Sequence, residues 1–251
     1  MTTDFPQPVG SADDADLAGS TEHPSHDYIS TIYDTGRTPV TEYPRQLVAH
    51  LMERFNLVPG TKLVELGCGR GDFLTAFQEA GFDCTGIDRV EASVRLSPHL
   101  EIRTCDLSKD RLPFDDNSID VIYHKSLIEH LYDAETLMAE SVRVLKPGGK
   151  LVVLTPDWHS QWKNFYEDYT HCRPYDELSL SDLLRVTGLR NVSAEKFLQL
   201  PIAWRSGPAR FLARMLRLLL NVYQARWLTS KSGIRFFRWS VELMILGYGE
   251  K

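Results

Sequence analysis

The sequence predicts an α/β domain built on a doubly wound, mostly parallel sheet. Short apolar runs of strand length alternate with amphipathic stretches of helix length from about residue 45 to residue 200. Runs such as LVVL are apolar throughout, as in strands covered by helices on both faces. The first run also passes directly into a glycine-rich turn that opens a helix, the usual start of a nucleotide-binding α/β unit.

The elements follow in order. In RQLVAHLMERFN, Leu47, Leu51 and Phe55 are spaced four apart beside Val48 and Met52, which makes one apolar helix face, and Pro59-Gly60 ends that helix. KLVELG is a strand, GDFLTAFQEAG a helix, CTGIDR a strand and HLEIRTCD a third strand ending at Asp106. IDVIYH is the fourth strand, DAETLMAESVRVL a helix and KLVVLTP the fifth strand; DELSLSDLLRVTGL and NVSAEKFLQL add a helix and a strand. Residues 1–26 are rich in Asp, Ser, Thr, Gly and Pro, cannot bury enough surface to offset their ordering entropy, and are expected to form a disordered tail.

At 251 residues, 43% hydrophobic and 25% charged, the chain is neither collagenous nor disulfide-stapled. Its net charge of −6 argues against a nucleic-acid partner. That total is uneven. Residues 1–60 carry 3 basic against 9 acidic side chains, residues 61–200 carry 16 against 23, and residues 201–251 carry 9 against 2. Cys68, Cys84, Cys105 and Cys172 form no C-x-x-C pair, so no structural zinc site is expected and free thiols fit a reducing compartment. The amino-terminal residues show no signal-peptide pattern and no apolar run reaches spanning length. The expectation is a cytoplasmic protein, with peripheral membrane contact as an option.

Glycines 67, 69 and 71 in Glu65-Leu66-Gly67-Cys68-Gly69-Arg70-Gly71 let the backbone turn sharply and approach a ligand. Asp88, ending the second strand 21 residues after Gly67, can accept hydrogen bonds from ribose hydroxyls. Asp106, at the third strand end, can meet an adenine amino group. A lone Asp at a strand end is otherwise a turn or cap residue; three such features at successive strand ends favour a nucleoside site. Asp72 stands where a dinucleotide fingerprint needs its third glycine, which disfavours a nicotinamide-dependent oxidoreductase.

At these residues the chain resembles the class I S-adenosylmethionine-dependent methyltransferases, nearest to the ubiquinone/menaquinone-biosynthesis-like (methyltransferase type 11) group. LVELGCGRGDF is similar to their first motif and GIDR to their second. DLSKDRLPFDDNSIDVIYHKSLIEHL is similar to the third and fourth, and RVLKPGGKLVVLTP to the late motif. The resemblance implies S-adenosylmethionine as cofactor and a Rossmann-like, seven-stranded sheet with WSVELMILGYGEK as its closing strand. It places Glu65, Gly67 and Gly69 around the methionine moiety and Asp88 at the ribose, with Cys68 and Arg89 also among the cofactor-binding residues. Asp106 and Leu107 then meet the adenine, and His124 lies near the sulfonium and its carboxylate. Tyr28, Tyr33 and Arg37 precede the core where relatives often carry a lid. The implied organisation is residues 27–60 as amino-terminal lid helices, 61–200 as core, 201–238 as a helical insertion and 239–251 as the closing strand.

For an oxygen acceptor a base is needed, and histidine matches neutral pH. His171, in the long polar and aromatic loop NFYEDYTHCRPY, is the first choice as base, with His130 second and Glu129 beside it; His171 could instead only hold its loop shut. Glu129-His130 resembles part of the metal motif E-x-x-E-H, but Ser126 occupies the first Glu position, so no metal is expected. Trp158, Trp162, Phe165, Tyr166, Tyr169 and Tyr175 are expected either to wall the acceptor pocket or simply to pack the loop. A helix from Pro208 through Arg226 is expected, with Arg210, Arg214, Arg217, Asn221 and Gln224 on one narrow polar stripe. So wide an apolar face suits a lid, a homodimer interface or a membrane-surface helix across residues 205–238. The expected activity is O-methylation of a small metabolite, sugar or lipid-linked acceptor. The alternative is a binding protein that uses the pocket as a sensor or scaffold.

Overall fold

The computed structural model describes residues 40–89, 93 and 97–251. The expected 1–26 tail and the lid residues Tyr28, Tyr33 and Arg37 lie outside them. Helix α1 (Tyr43–Phe55) starts with Pro44 in its first turn and stops at Asn56, whose φ is 49°. Its Leu47, Val48 and Leu51 are buried in the same core as Leu63 and Phe77. Residues 43–55, within the expected lid segment 27–60, are thus packed into the helical layer.

Strands β1 (Lys62–Leu66), β2 (Asp83–Asp88) and β3 (Ile102–Thr104) run parallel on one side. On the other side come β4 (Ile119–Lys125), β5 (Leu145–Pro156), β6 (Arg190–Phe197) and β7 (Met244–Glu250). One seven-stranded sheet results, in the order β3-β2-β1-β4-β5-β7-β6, with β7 antiparallel to both neighbours. The strand order reverses between β1 and β4, so a crevice opens at their carboxyl ends. Both faces are covered, by α1 and α2 (Asp72–Glu79) on one and by α3 (Ala134–Val144) and α5 (Glu177–Val186) on the other. Along β5, Val152 and Leu154 enter the first core and Leu151 and Val153 the second. That two-sided burial explains the uninterrupted apolar runs. A short helix α4 (Trp158–Gln161) follows β5.

Three sequence expectations are corrected. The third strand ends at Thr104, two residues before Asp106. The closing strand starts at Met244 and not at Trp239, because residues 236–241 form helix α9 (Phe236–Val241). The long carboxy-terminal helix is two helices, α7 (Gly207–Leu219) and α8 (Val222–Ser232), preceded by a short α6 (Pro201–Arg205). Asn221 and Gln224 do not continue the arginine stripe. The Asn221 side chain accepts from the Gln224 N–H and the Gln224 side chain accepts from the Asn221 N–H, a reciprocal cap that restarts the helix. Their spacing of three serves a cap as well as a stripe.

One acidic residue ties this helical insertion to the sheet. Glu242, its side chain 6% exposed, accepts from Nε of both Arg226 and Arg238 just before β7. Arg226 also reaches Glu167 in the loop after β5. Removing a buried partner strands its arginines, though both keep some solvent access. Glu242→Gln is expected to lower stability by about 2 kcal/mol, read as a shifted urea midpoint at unchanged slope. An unmoved midpoint would mean the network adds nothing.

Candidate active site

The turn after β1 is laced onto the end of β2. Gly67, Gly69 and Gly71 have φ of 68°, 52° and 80°, a region that admits glycine without strain. A Cβ on Gly71 would also stand 2.6 Å from Leu100 Cδ1. The N–H groups of Gly67 and Cys68 donate to the Ile87 carbonyl, and Gly69 N–H donates to Asp88 Oδ2 at 2.8 Å. Asp88 therefore holds the turn at the switch point, and it is nearly buried. The Cys68 thiol sits against Gly86, and burial pushes its pKa upward.

Glu65, penultimate in β1, is 3% exposed. Burial first, then the charges of Asp72 and Asp88, hold its carboxyl well above the usual carboxylate range. Its Oε2 has no hydrogen-bond partner among the described residues. A buried carboxyl crowded by like charges is eased by a cationic neighbour; Lys125 acts in that sense on Glu65, and Arg70 pairs with Asp72. On β4, His124 is fully buried with both ring nitrogens unpartnered among the described residues, and burial pushes its pKa down to about 3. A neutral imidazole there sets no charge against a cation.

Asp106 accepts from the Ser108 N–H at 3.0 Å and from its hydroxyl at 2.6 Å, with Lys109 Nζ at 3.0 Å. These contacts, the Ser108 hydroxyl foremost, lower its pKa to about 2. The carboxylate is foremost a turn former, and only its remaining lone pairs are open to a ligand. Leu107 is buried in the α3–α5 core, while Arg89 is exposed and its charge reaches His130.

Beyond its carboxyl end the chain leaves β4 through a 3₁₀ turn, Ile128–His130. Glu129 is fully buried; Thr155 Oγ1 donates to its Oε2 at 2.9 Å and its Oε1 is unpartnered among the described residues. Burial raises its pKa to about 7. Main-chain N–H groups of Cys172 and Arg173 donate to the Glu129 carbonyl, which draws the distant loop onto the turn.

That loop fixes both histidine rings. His171 Nδ1 lies 2.7 Å from the Phe165 carbonyl, which can only accept, so Nδ1 carries a proton; in the neutral ring Nε2 bears the lone pair, with Asp168 Oδ2 3.9 Å away. His130 Nδ1 lies 2.8 Å from Thr170 Oγ1, whose own proton goes to Asp168 Oδ1 at 2.6 Å. His130 is therefore also protonated on Nδ1, leaving Nε2 as an acceptor. The ring centroids are 4.7 Å apart. A carboxylate oxygen of Glu129 and one ring nitrogen from each histidine lie within 4.8 Å of one another, a spacing that can hold a metal ion. Counting ligands from Glu129-His130 alone stopped at two because His171 arrives from 41 positions further along the chain.

The structure thus brings Glu129, His130 and His171 together, as it does Glu65, the glycine turn and Asp88. It divides the aromatic set. Phe165 is buried and meets Trp158 at 5.6 Å, Tyr166 at 5.1 Å and His171 at 4.5 Å. Tyr175 is in the core, and Trp162 and Tyr169 are exposed. Asp168 and Thr170, which orient His130, were missed. Asp168-Tyr169-Thr170 is an Asx-turn pattern, confirmed by Thr170 N–H on Asp168 Oδ1, and that was their signal. The insertion closes over this loop: Tyr223 on α8 donates to the Lys163 carbonyl at 2.8 Å, beside the Arg226–Glu167 pair.

A family model described as a methyltransferase domain matches residues 40–194. The chain is 32% identical over 135 residues to a Mycolicibacterium smegmatis protein described as a probable S-adenosylmethionine-dependent methyltransferase, covering 51% of this chain and 52% of that protein. It is 32% identical over 160 residues to phosphoethanolamine N-methyltransferase 1 of Arabidopsis thaliana, covering 57% of this chain and 32% of that protein. The chain thus spans about half of the first relative's length and a third of the second's. Its fold is shared with a SAM-dependent methyltransferase from Archaeoglobus fulgidus, at a TM-score of 0.61 and 21% identity over 90% of this chain and 100% of that one.

Proposed function

The chain belongs to the methyltransferase domain family, and on that premise we propose that it moves a methyl group from S-adenosylmethionine to an oxygen of a small metabolite, sugar or lipid-linked acceptor. The observation that carries this reading is the pair of ends just described: a glycine turn pinned to Asp88 beside a crowded, buried Glu65, and a histidine pair presenting lone pairs. The residues fit the cofactor. Its cationic sulfonium and ammonium groups suit the Glu65 surroundings, its ribose suits Asp88 at the β2 end, and its adenine suits the apolar Leu107 beside Asp106.

S-adenosylmethionine supplies an electrophilic methyl on a positively charged sulfur. The protein's task is to bind, align and exclude water, which accounts for much of the rate in an in-line displacement. Glu65, Gly67 and Gly69 orient the methionine portion, and neutral His124 borders it without adding a like charge. The Nε2 lone pair of His171 takes the proton of the acceptor hydroxyl, with His130 and Glu129 completing the polar wall. Asp168 acts through Thr170 to position His130. This chemistry needs no nucleic-acid partner and suits a cytoplasmic enzyme at a membrane surface.

A second reading rests on the 4.8 Å cluster: Glu129, His130 and His171 hold a divalent cation that binds the acceptor oxygen. Incubating a metabolite and lipid extract with the protein and deuteromethyl-labelled S-adenosylmethionine, before and after chelation, separates the cases by mass spectrometry. Labelled product untouched by chelation supports the histidine base; product lost on chelation and restored by Mn²⁺ supports the cation. Ligand binding with neither labelled product nor S-adenosylhomocysteine would leave the sensor or scaffold alternative.

A further inference from the structure

Helix α7 wears its amphipathicity outward. Its sheltered arc is small: Ala213 is fully buried, with Ala209 and Leu216 half-buried on the same side. Turning by 100° per residue, Phe211, Leu212, Met215, Leu218 and Leu219 fall on an opposite arc of about 120°. They are 66%, 53%, 37%, 74% and 71% exposed. Arg210, Arg214 and Arg217 fill the strip between the two arcs. A domain helix normally turns such an apolar stripe inward; here the stripe faces away from the protein.

The charge around it is one-sided. Between residues 196 and 241 there is no Asp or Glu. Glu242 serves Arg226 and Arg238. Arg210 donates to the Ala203 and Trp204 carbonyls and Arg217 to the Ser240 carbonyl, with the charge of Asp157 within reach of Arg217. Arg205, Arg214, Lys231 and Arg235 have no ion-pair partner among the described residues. A groove of about 590 Å³ runs beside the stripe, lined by Leu198, Gly207, Phe211 and the three arginines.

We propose that this face of α7 docks on an anionic lipid bilayer, the apolar stripe entering the headgroup–acyl boundary and the arginine groove taking lipid phosphate. An apolar arc flanked by cations, with no carboxylate, is the composition of an interfacial helix. No described helix is long and apolar enough to cross a membrane, so the contact is peripheral. Charge decides against a second copy of this chain. A two-fold contact sets a patch against itself, and this one would set arginines against arginines with no acid to meet them. Helix α8, which follows α7 in the chain, holds the loop of His171 through Tyr223 and Arg226, so docking of α7 brings the segment that carries this loop to the bilayer. On the methyl-transfer reading above, the acceptor is then lipid-borne.

Co-sedimentation of the full chain with sucrose-loaded vesicles tests the docking. The protein is expected to pellet with mixed phosphatidylcholine–phosphatidylglycerol vesicles and not with phosphatidylcholine alone, and to be released by salt. Leu218→Glu and Arg214→Glu, both at exposed positions, are each expected to weaken binding roughly tenfold or more. No pelleting with anionic vesicles, or undiminished pelleting of both variants, overturns the proposal. A dimer in ultracentrifugation that Leu218→Glu dissociates, without vesicle binding, overturns it in favour of a second copy. Calorimetry of S-adenosylmethionine on the same samples separates the two readings. Retained affinity confines a negative vesicle result to α7; absent affinity in the unmutated protein counts against methyl transfer instead.

Discussion

Asp88→Ala is expected to reduce S-adenosylmethionine affinity about a hundredfold or more in titration calorimetry, while the fold survives. The Asp88 carboxylate accepts the Gly69 N–H at 2.8 Å and stands at the end of β2 where ribose hydroxyls are expected. Its loss removes charge-assisted hydrogen bonds to the ligand, each contributing about 1.5–3 kcal/mol, and also slackens the turn. Asp88→Asn separates these effects, since an amide oxygen still receives Gly69 N–H but carries no charge. An intermediate affinity for Asn is expected. Unchanged affinity in the Ala variant would remove Asp88 from the cofactor site.

His171→Ala should leave cofactor affinity within about twofold and lower kcat by about 10²–10⁴, the range for loss of a positioned base. The competing view is that His171 only holds its loop through the Phe165 carbonyl. His171→Asn discriminates, because its side-chain N–H₂ can reproduce that donation while offering no ring nitrogen opposite it. Turnover that stays low in Asn assigns the work to Nε2. Turnover restored by Asn makes His171 a positioning residue and moves the search to His130 and Glu129.

The two ends of the site differed in how far the sequence revealed them. The glycine turn and its Asp88 partner, the proposed cofactor end, were legible because their signals are local. A glycine turn must follow an apolar strand, and the carboxylate at the next strand end is met by counting along one crossover unit. Asp106 shows the limit: the residue was found, but its carboxylate is engaged by Ser108 and Lys109, and no spacing distinguishes a turn former from a ligand contact. On the acceptor side the candidates were named from residue type and strand-end position. Their convergence was hidden, because Glu129-His130 and His171 are joined only by loop contacts on the Glu129 carbonyl. The ligand count therefore stopped one short.

Helix α7 shows the same division. Its spacing announced a wide apolar face and a narrow arginine stripe, which favoured a lid or an interface over a membrane-surface helix. Only the packing of Ala213 against the neighbouring helices shows which arc is covered, and it is the smallest one. By itself the sequence determined the α/β class, the strand that carries the glycine turn, and the uneven charge, since these follow from periodicity and turn chemistry within short windows. Tertiary structure decided which nitrogen of each histidine bears a proton, how many ligand atoms meet, and which helix face is left outside. Those depend on hydrogen-bond acceptors and burial supplied by segments tens of residues away, which no local pattern encodes.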